Sequence, residues 1–193
     1  MKETRNILLC GVGGQGILLA SEIISSALVK AGFDVKQSEV HGMAQRGGSV
    51  LSQVRFGEKV FSPIVNEGEA DLLIGFEPLE TARYLHFLRD SGTVVYNTRP
   101  IGTIGVSIGK EEYPADIHET IKKHAPKVFA LDATEVAVGV GEKRAVNLVL
   151  VGAALRFLPI DGQIVENAIT NSVPKKLLEI NQKAFAAGRA QGK

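Results

Sequence analysis

Two short segments of this sequence concentrate residue types that suit the binding of an anion. The first, Gly11-Val-Gly-Gly-Gln-Gly16, follows a short apolar run and precedes a helical one. Glycines let backbone N–H groups approach a phosphate or carboxylate, and the N-terminus of the following helix adds favourable partial positive charge. The candidate binding residues of this segment are Gly11, Gly13, Gly14, Gln15 and Gly16.

Three interpretations of this glycine pattern are open. It matches an NAD(P)- or FAD-binding loop, in which an acidic residue about 20 positions further on binds the ribose. Glu39 is the nearest match to that acid but adjoins a polar loop, and Asp34 begins the second strand rather than ending it. Alternatively, the glycines only allow close packing of a helix on a sheet, or they contact an anion within a larger assembly.

The second segment, Glu39-Val-His-Gly-Met-Ala-Gln-Arg-Gly-Gly-Ser49, holds an acid, an imidazole, an amide and a guanidinium among three glycines. A guanidinium can bind a phosphate or a carboxylate through two hydrogen bonds, and an imidazole titrates near neutral pH. The alternative is that these side chains only bond the loop to its own backbone. The candidate binding residues here are His41, Gln45, Arg46, Gly47 and Gly48.

The rest of the sequence gives little support for other site chemistry. The single cysteine, Cys10, cannot form an internal disulfide or hold an iron–sulfur cluster, and its place at the end of an apolar run predicts a small core residue. The four histidines show no metal-ligand spacing, and the spacing of His41 gives it no nucleophilic partner. We therefore expect no metal or metal-containing cofactor on this chain, and no residue is identified as catalytic.

The positions of the apolar residues predict alternating strands and helices. Short apolar runs bounded by glycine and polar residues are typical of buried strands, whereas apolar spacings of three and four indicate helices. Strands are predicted at 7–10, 33–40, 49–56, 59–65, 71–75, 93–96, 104–108 and 127–131, with 49–56 and 59–65 forming a hairpin. Helices are predicted at 17–31, 77–90, 115–124, 143–157, 161–171 and 174–188, and another begins at the capping-box sequence Asp132-Ala-Thr-Glu135.

These elements predict one α/β domain over residues 1–193, with a doubly wound, mostly parallel, Rossmann-like sheet, a hairpin and a helical C-terminal end. Ligands of such sheets bind beyond the carboxyl ends of the strands. We expect one rim to be formed by segments 11–16, 39–48, 75–78, 97–100 and 132–135. Within it, Glu77 and Asp132 are expected to begin helices.

Composition argues against two classes of partner. The 22 Lys and Arg residues balance 21 Asp and Glu residues, and aromatic residues make up only 6% of the chain, so a nucleic-acid surface is not expected. The apolar stretch 17–31 contains Glu22 and Lys30 and is too polar to span a membrane. No secretory signal is evident, and we expect a cytoplasmic protein without nucleic-acid or membrane partners.

Taken together, five segments resemble the gamma-type domain of the 2-oxoacid:ferredoxin oxidoreductase family. The likeness extends from Asn6 to about Phe185. It depends on the first two segments occurring together, because the glycine pattern alone is unspecific. The segments are Gly-Val-Gly-Gly-Gln-Gly-Ile (11–17), Glu-Val-His-Gly-Met-Ala-Gln-Arg-Gly-Gly-Ser-Val (39–50), Gly-Phe-Glu-Pro-Leu-Glu (75–80), Asn-Thr-Arg-Pro (97–100) and Asn-Leu-Val-Leu-Val-Gly-Ala (147–153).

The resemblance implies the small subunit of a complex that oxidatively decarboxylates a 2-oxo acid, such as indolepyruvate or another aryl pyruvate. The acyl group would pass to coenzyme A, and the complex would reduce ferredoxin. A larger alpha subunit would carry thiamine diphosphate and iron–sulfur clusters, because this chain lacks the thiamine motif and the cluster cysteines. Segments 11–16 and 41–48 would help to shape the pocket for the substrate or coenzyme A. An independent NAD(P)- or flavin-binding oxidoreductase and a non-catalytic interaction subunit are the alternatives.

Overall fold

The described part of the chain forms a six-stranded sheet with helices on both faces. A computed structural model describes residues 3–41, 47–101 and 112–191, and the predicted strand at 104–108 lies outside them. The strands are β1 (Arg5–Val12), β2 (Asp34–His41), β3 (Ser49–Gly57), β4 (Ala70–Gly75), β5 (Leu88–Asn97) and β6 (Lys127–Leu131). The α-helices within the described ranges are α1 (Ile17–Lys30), α2 (Pro78–Arg83), α3 (Ile117–His124), α4 (Ala133–Gly139), α5 (Val146–Ala154), α6 (Gly162–Ser172) and α7 (Lys175–Ala190).

The sheet is mixed, with the strand order β2-β3-β1-β4-β5-β6. Strands β1, β4, β5 and β6 are parallel neighbours, whereas β3 runs antiparallel to both β1 and β2. Five of these six strands therefore point the same way. The predicted fold class, α/β with a mostly parallel sheet, a hairpin and a helical C-terminal end, is confirmed.

The hairpin itself does not join the predicted strands. β3 pairs with the whole length of β2, from Asp34 opposite Gly57 to His41 opposite Val50. Segment 59–65 is not a strand. Side chains, rather than a neighbouring strand, accept hydrogen bonds from its backbone N–H groups. The Val60 N–H donates to Asp34 Oδ2 at 2.8 Å, and the Val65 N–H donates to Gln53 Oε1 at 2.8 Å. The prediction of a strand at 59–65 is wrong.

The predicted helix at 77–90 is also too long. Helix α2 ends at Arg83, a 3₁₀ turn covers 85–87, and β5 already begins at Leu88. Leu88 pairs with Ala70 at the start of β4, next to a register irregularity in that ladder. Pairing with a neighbouring strand therefore overrides the helical pattern of this stretch.

Alternate residues of the central strands face two separate cores. Ile7 and Leu9 of β1 belong to the larger core, under α1, α5, α6 and α7, whereas Leu8 and Cys10 belong to the smaller one, under α2 and α3. This alternation follows from the two-residue repeat of a strand. It explains why β1 reads as a continuous apolar run and places Cys10 in the core, as predicted.

Helices α5 and α7 approach each other closely enough that only glycine fits at their contact. A Cβ at Gly188 would lie 2.0 Å from the Val149 carbonyl oxygen, and one at Gly152 would lie 2.2 Å from the Phe185 carbonyl oxygen. The close contact anchors α7, the last described helix, to the main core, where Phe185 is fully buried. The helical C-terminal end is therefore an integral part of the fold.

No helix in the described ranges is both long and apolar enough to cross a membrane. The longest helix there, α7, has 16 residues and includes Lys175, Glu179 and Lys183. A membrane span needs about 20 predominantly apolar residues.

Substitution Gly152→Ala should destabilise the fold by about 1–3 kcal/mol, because the added methyl group forces α5 and α7 apart. Urea unfolding followed by circular dichroism measures this change. Gly139→Ala is the matched control: a Cβ there meets nothing within 4 Å, so we expect a gain of about 0.4–1 kcal/mol. Equal stability of the two variants would contradict the packing argument.

Candidate functional site

The first glycine segment forms the turn between β1 and α1, at the carboxyl end of the parallel strands. Gly14 and Gly16 adopt φ values of 102° and 78°, a region that side-chain-bearing residues rarely occupy. Gly16 is the N-cap of α1, and no side chain caps that helix end. The turn therefore leaves N–H groups at the start of α1 without a side-chain partner, as a phosphate-binding loop does.

Gln15 holds this turn to two strands. Its Oε1 accepts a hydrogen bond from the Val12 N–H at 2.6 Å, and its Nε2 donates to the Phe76 carbonyl oxygen at 2.9 Å. One amide side chain thus pairs a backbone N–H at the end of β1 and a backbone carbonyl oxygen in the segment after β4. Gly11 lies beneath it, where a Cβ would be 2.6 Å from Gln15 Oε1 and 2.7 Å from Phe76 Cβ. Close packing accounts for the glycine at position 11.

Asn147, at the start of α5, packs against the other end of the turn. Its Nδ2 donates to the Gly16 carbonyl oxygen at 3.4 Å, and its Oδ1 accepts from the Leu148 N–H at 3.0 Å. A Cβ on Gly16 would lie only 2.6 Å from Asn147 Nδ2. Gly16 is therefore required both by its backbone conformation and by this neighbour.

The two glycine segments, remote in the sequence, meet at Gly13. The Gly13 N–H donates to the Gly48 carbonyl oxygen at 2.8 Å, and the Gly47 N–H donates to the Gly13 carbonyl oxygen at 3.4 Å. Val12 and Ser49 are paired in the β1–β3 ladder, which aligns these backbones. The structure thus brings Gly13, Gly14, Gln15 and Gly16 together with Gly47 and Gly48.

The remaining candidates of the second segment are only partly described. His41 is the last residue of β2 and pairs with Val50, but its side chain lies outside the description, as do Gln45 and Arg46. Their assignment to a binding site stays a prediction.

The strand order differs from that of a dinucleotide-binding fold. In the Rossmann arrangement the acid that binds the ribose ends a strand adjacent to β1. Here β3 separates β2 from β1, so Glu39 stands opposite Ser52 of β3, two strand spacings of about 4.8 Å from β1. Its carboxylate accepts a hydrogen bond from Gln37 Nε2 at 3.0 Å. The geometry disfavours an NAD(P) site built from the glycine loop and Glu39.

Two clefts open on either side of Gly14. One, of about 530 Å³, is mainly apolar and is lined by Val50 and the first residues of α1. The other, of about 670 Å³, is bordered by the segment after β5 and by the starts of α4 and α5. Its lining residues include Gln15, Asn97, Arg99, Thr134, Lys143 and Arg144.

The second cleft, which we call the basic cleft, carries three cationic side chains. Arg99 Nη2 lies 2.8 Å from Asp132 Oδ2, and Arg144 Nη2 lies 3.0 Å from Glu142 Oε2. The hydrogen bonds from Arg144 lower the pKa of Glu142 to about 2, so this pair is ionised at neutral pH. Lys143 is exposed and makes no ion pair with another described residue. Because Arg99 and Arg144 are each paired with a carboxylate, it is Lys143 that gives these groups a net positive charge, which favours an anionic ligand.

Residues of the predicted rim segments 11–16, 97–100 and 132–135 line the basic cleft, whereas sequence reasoning missed Lys143 and Arg144. Lys143 and Arg144 were included in a predicted helix, whereas they form a 3₁₀ turn before α5. Their role depends on α5 packing beside the glycine turn, which no local pattern reveals. The expected helix-start roles are confirmed, since Asp132 Oδ1 accepts from the Glu135 N–H and Glu77 Oε2 accepts from the Glu80 N–H.

Cys10 is buried in the core beneath the candidate site and is not exposed at its surface. Burial, together with the nearby carboxylates of Glu80 and Glu77, raises the pKa of its thiol well above the usual value. The thiol thus stays protonated and unreactive at neutral pH. Among residues 3–41, 47–101 and 112–191, no three metal-ligating side chains come together.

The fold is shared with solved structures of oxoacid oxidoreductases. The gamma subunit of a keto/oxoacid ferredoxin oxidoreductase from Geobacter sulfurreducens superposes with a TM-score of 0.71 over 95% of both chains, at 24% identity. A 2-oxoglutarate:ferredoxin oxidoreductase from Magnetococcus marinus superposes with a TM-score of 0.73 over 98% of this chain and 31% of its own, at 20% identity.

The sequence comparison narrows this class to one family. A sequence profile of the pyruvate ferredoxin/flavodoxin oxidoreductase family matches residues 6–191. The Indolepyruvate oxidoreductase subunit IorB of Pyrococcus horikoshii is 43% identical, over 97% of this chain and 95% of its own. The chain belongs to the pyruvate ferredoxin/flavodoxin oxidoreductase family and corresponds over its length to the small gamma-type subunits.

Substitution Gln15→Glu should cost about 1–3 kcal/mol of stability, because a carboxylate oxygen would face the Phe76 carbonyl oxygen without a donor between them. Thermal or urea unfolding measures the loss. Gln163→Glu adds the same charge at an exposed position in the first turn of α6, where we expect a change within about 0.5 kcal/mol. A neutral Gln15→Glu variant would show that the amide bridge is unimportant.

Proposed function

We propose that this chain is the gamma-type subunit of an indolepyruvate, or related aryl-pyruvate, ferredoxin oxidoreductase. The complex would oxidatively decarboxylate the 2-oxo acid, transfer the acyl group to coenzyme A and pass two electrons to ferredoxin. The observation that carries the proposal is the 43% identity to an indolepyruvate oxidoreductase subunit that is matched nearly end to end.

In this proposal, the redox centres belong to a larger partner subunit. A cluster of the four-thiolate type needs four cysteine ligands, and this sequence has one cysteine, which is buried. The residues present therefore do not fit an iron–sulfur cluster on this chain. Thiamine diphosphate and the clusters would lie on the alpha subunit, and ferredoxin would bind to the complex. We also infer one domain over residues 1–193 and a cytoplasmic location.

The contribution of this chain would be to shape an anion-binding part of the active site. Coenzyme A carries phosphates and the oxo acid carries a carboxylate, so both ligands have groups that the basic cleft and the glycine turn suit. Gly14 and Gly16 would present backbone N–H groups to such an anion, while the hydrogen bonds of Gly13 with Gly47 and Gly48 would hold the second glycine segment alongside. Lys143 and Arg144 would supply positive charge from the other side of Gly14.

Reconstitution with the large subunit tests this function. We expect neither subunit alone to reduce methyl viologen with indolepyruvate and coenzyme A, whereas the complex does so. Pyruvate, 2-oxoglutarate and phenylpyruvate serve as comparison substrates, and we expect kcat/KM to favour the aryl pyruvates. Activity of this chain alone would overturn the proposal.

The two alternative functions give different results in the same preparation. Stoichiometric flavin in the purified chain, or micromolar NAD(P) affinity by calorimetry, would indicate an independent dinucleotide enzyme. A large subunit that is fully active without this chain would indicate a non-catalytic interaction subunit. The position of Glu39, two strands from β1, disfavours binding of NAD(P) or of a flavin dinucleotide at the glycine turn.

Substitution Lys143→Ala should raise the KM for coenzyme A or for the oxo acid about two- to fivefold, as expected for losing one solvent-exposed ionic contact of about 0.5–1 kcal/mol. The effect should shrink at high salt, because the contact is screened. Lys122→Ala on α3, an exposed lysine on the opposite face of the sheet, is the charge-matched control and should leave both KM values unchanged. Equal effects of the two substitutions would exclude a specific role for Lys143.

A further inference from the structure

A buried carboxylate holds the residue that follows the second glycine segment. Ser49 begins β3 directly after Gly47-Gly48, and its hydroxyl donates a hydrogen bond to Glu80 Oε2. The same hydroxyl oxygen lies 3.0 Å from Tyr84 Oη. Glu80 is only 2% exposed, so solvent competes little for this contact.

Glu80 is itself fixed from several directions. It lies in the first turn of α2, where its N–H donates to Glu77 Oε2 at 2.9 Å. Its carbonyl oxygen accepts from Cys10 Sγ at 3.6 Å, and its Oε1 lies 3.6 Å from Arg83 Nε. Glu77 is fully buried and accepts a hydrogen bond from Tyr113 Oη at 2.6 Å. The carboxylate that holds Ser49 therefore has a defined position relative to β1 and β4.

A Gly-Gly pair needs such an anchor more than other sequences do. Glycine loses the most conformational freedom on folding, so Gly47 and Gly48 adopt one conformation only if their neighbours impose it. The two hydrogen bonds with Gly13 impose this single conformation from one side of the pair. On the other side, the Ser49 hydroxyl fixes the chain one residue after Gly48.

We propose that Glu80, acting through the Ser49 hydroxyl, is a positioning residue that keeps Gly47 and Gly48 against Gly13. This inference rests on the proposed function, because it assigns Glu80 and Ser49 a role in ligand affinity at that same site. Neither side chain contacts the ligand in this proposal. The pair instead sets the fraction of molecules in which the two glycine segments are joined.

This mechanism has a kinetic signature that a loss of stability does not produce. If only a fraction of the molecules is competent to bind, the apparent dissociation constant rises in inverse proportion to that fraction. A saturating ligand then draws the population back to the competent form, so kcat is retained. A merely destabilised subunit would instead lower the amount of active complex, and kcat would fall at unchanged KM.

The test compares Ser49→Ala, Ser49→Thr and Glu80→Gln in the reconstituted complex, with coenzyme A and indolepyruvate varied in turn. For Ser49→Ala we expect at least one KM to rise about three- to tenfold, with kcat within about twofold of the parent. Ser49→Thr keeps the hydroxyl and should restore KM. Glu80→Gln should raise the same KM as Ser49→Ala, and the double variant should not exceed the larger single effect.

Asp71→Asn is the matched control. Asp71 is a mostly buried carboxylate at the opposite end of β4, where its Oδ1 lies 2.6 Å from Arg89 Nη1 and its Oδ2 accepts from the Asn6 N–H. Its loss should lower the melting temperature without changing either KM. An unchanged KM in Ser49→Ala, or a fall in kcat shared by Ser49→Ala and Ser49→Thr, would overturn the positioning role.

Amide hydrogen exchange in the full chain alone separates this inference from the proposed function. The Gly13 and Gly47 N–H groups donate the two joining hydrogen bonds, and we expect both to exchange about tenfold faster in Ser49→Ala but not in Asp71→Asn. If the parent complex is inactive with indolepyruvate, the proposed function fails while accelerated exchange still supports the anchor. Unchanged exchange would overturn the anchor whatever the activity of the complex.

Discussion

The antiparallel insertion of β3 between β1 and β2 is the constraint on which the site depends. The β1–β3 ladder pairs Val12 with Ser49, so the residues just beyond it, Gly13 and Gly48, are adjacent and form a backbone hydrogen bond. The same insertion moves β2 and Glu39 away from the glycine turn, which separates this site from a dinucleotide fingerprint. One choice of strand pairing thus both assembles the candidate site and limits its chemistry.

Buried and half-buried polar side chains then hold the ends of the strands in a fixed relation. Gln15 joins the end of β1 to the segment after β4, Asn147 joins the turn to α5, and Glu80 joins α2 to β3. A buried polar group is costly without a partner, and these groups have partners with defined geometry. These contacts fix the arrangement of the backbone around Gly13. A site that binds through backbone N–H groups needs that precision.

The division of chemistry between subunits follows from what this chain carries. Its two clefts meet at Gly14, and the basic cleft has charges suited to an anionic ligand. Its one thiol is buried and protonated. The family performs redox chemistry on 2-oxo acids, and in our proposal this chain supplies recognition and positioning while its partner supplies the electron path.

The sequence alone determined the α/β class, the six described strands (β5 only in its second half), the helical C-terminal end and the two glycine segments, because local apolar periodicity and glycine placement carry that information. It could not determine that 59–65 is no strand, because the distant side chains of Asp34 and Gln53 accept hydrogen bonds from its backbone. Nor could it determine that 88–90 joins β5, because that depends on pairing with β4. The place of Lys143 and Arg144 in the basic cleft and the Ser49–Glu80 contact were likewise decided only by tertiary structure. Lys143 and Glu80 lie in unremarkable helical patterns, and their environment arises when α5 and α2 pack beside β1, an outcome of long-range packing that local spacing does not encode.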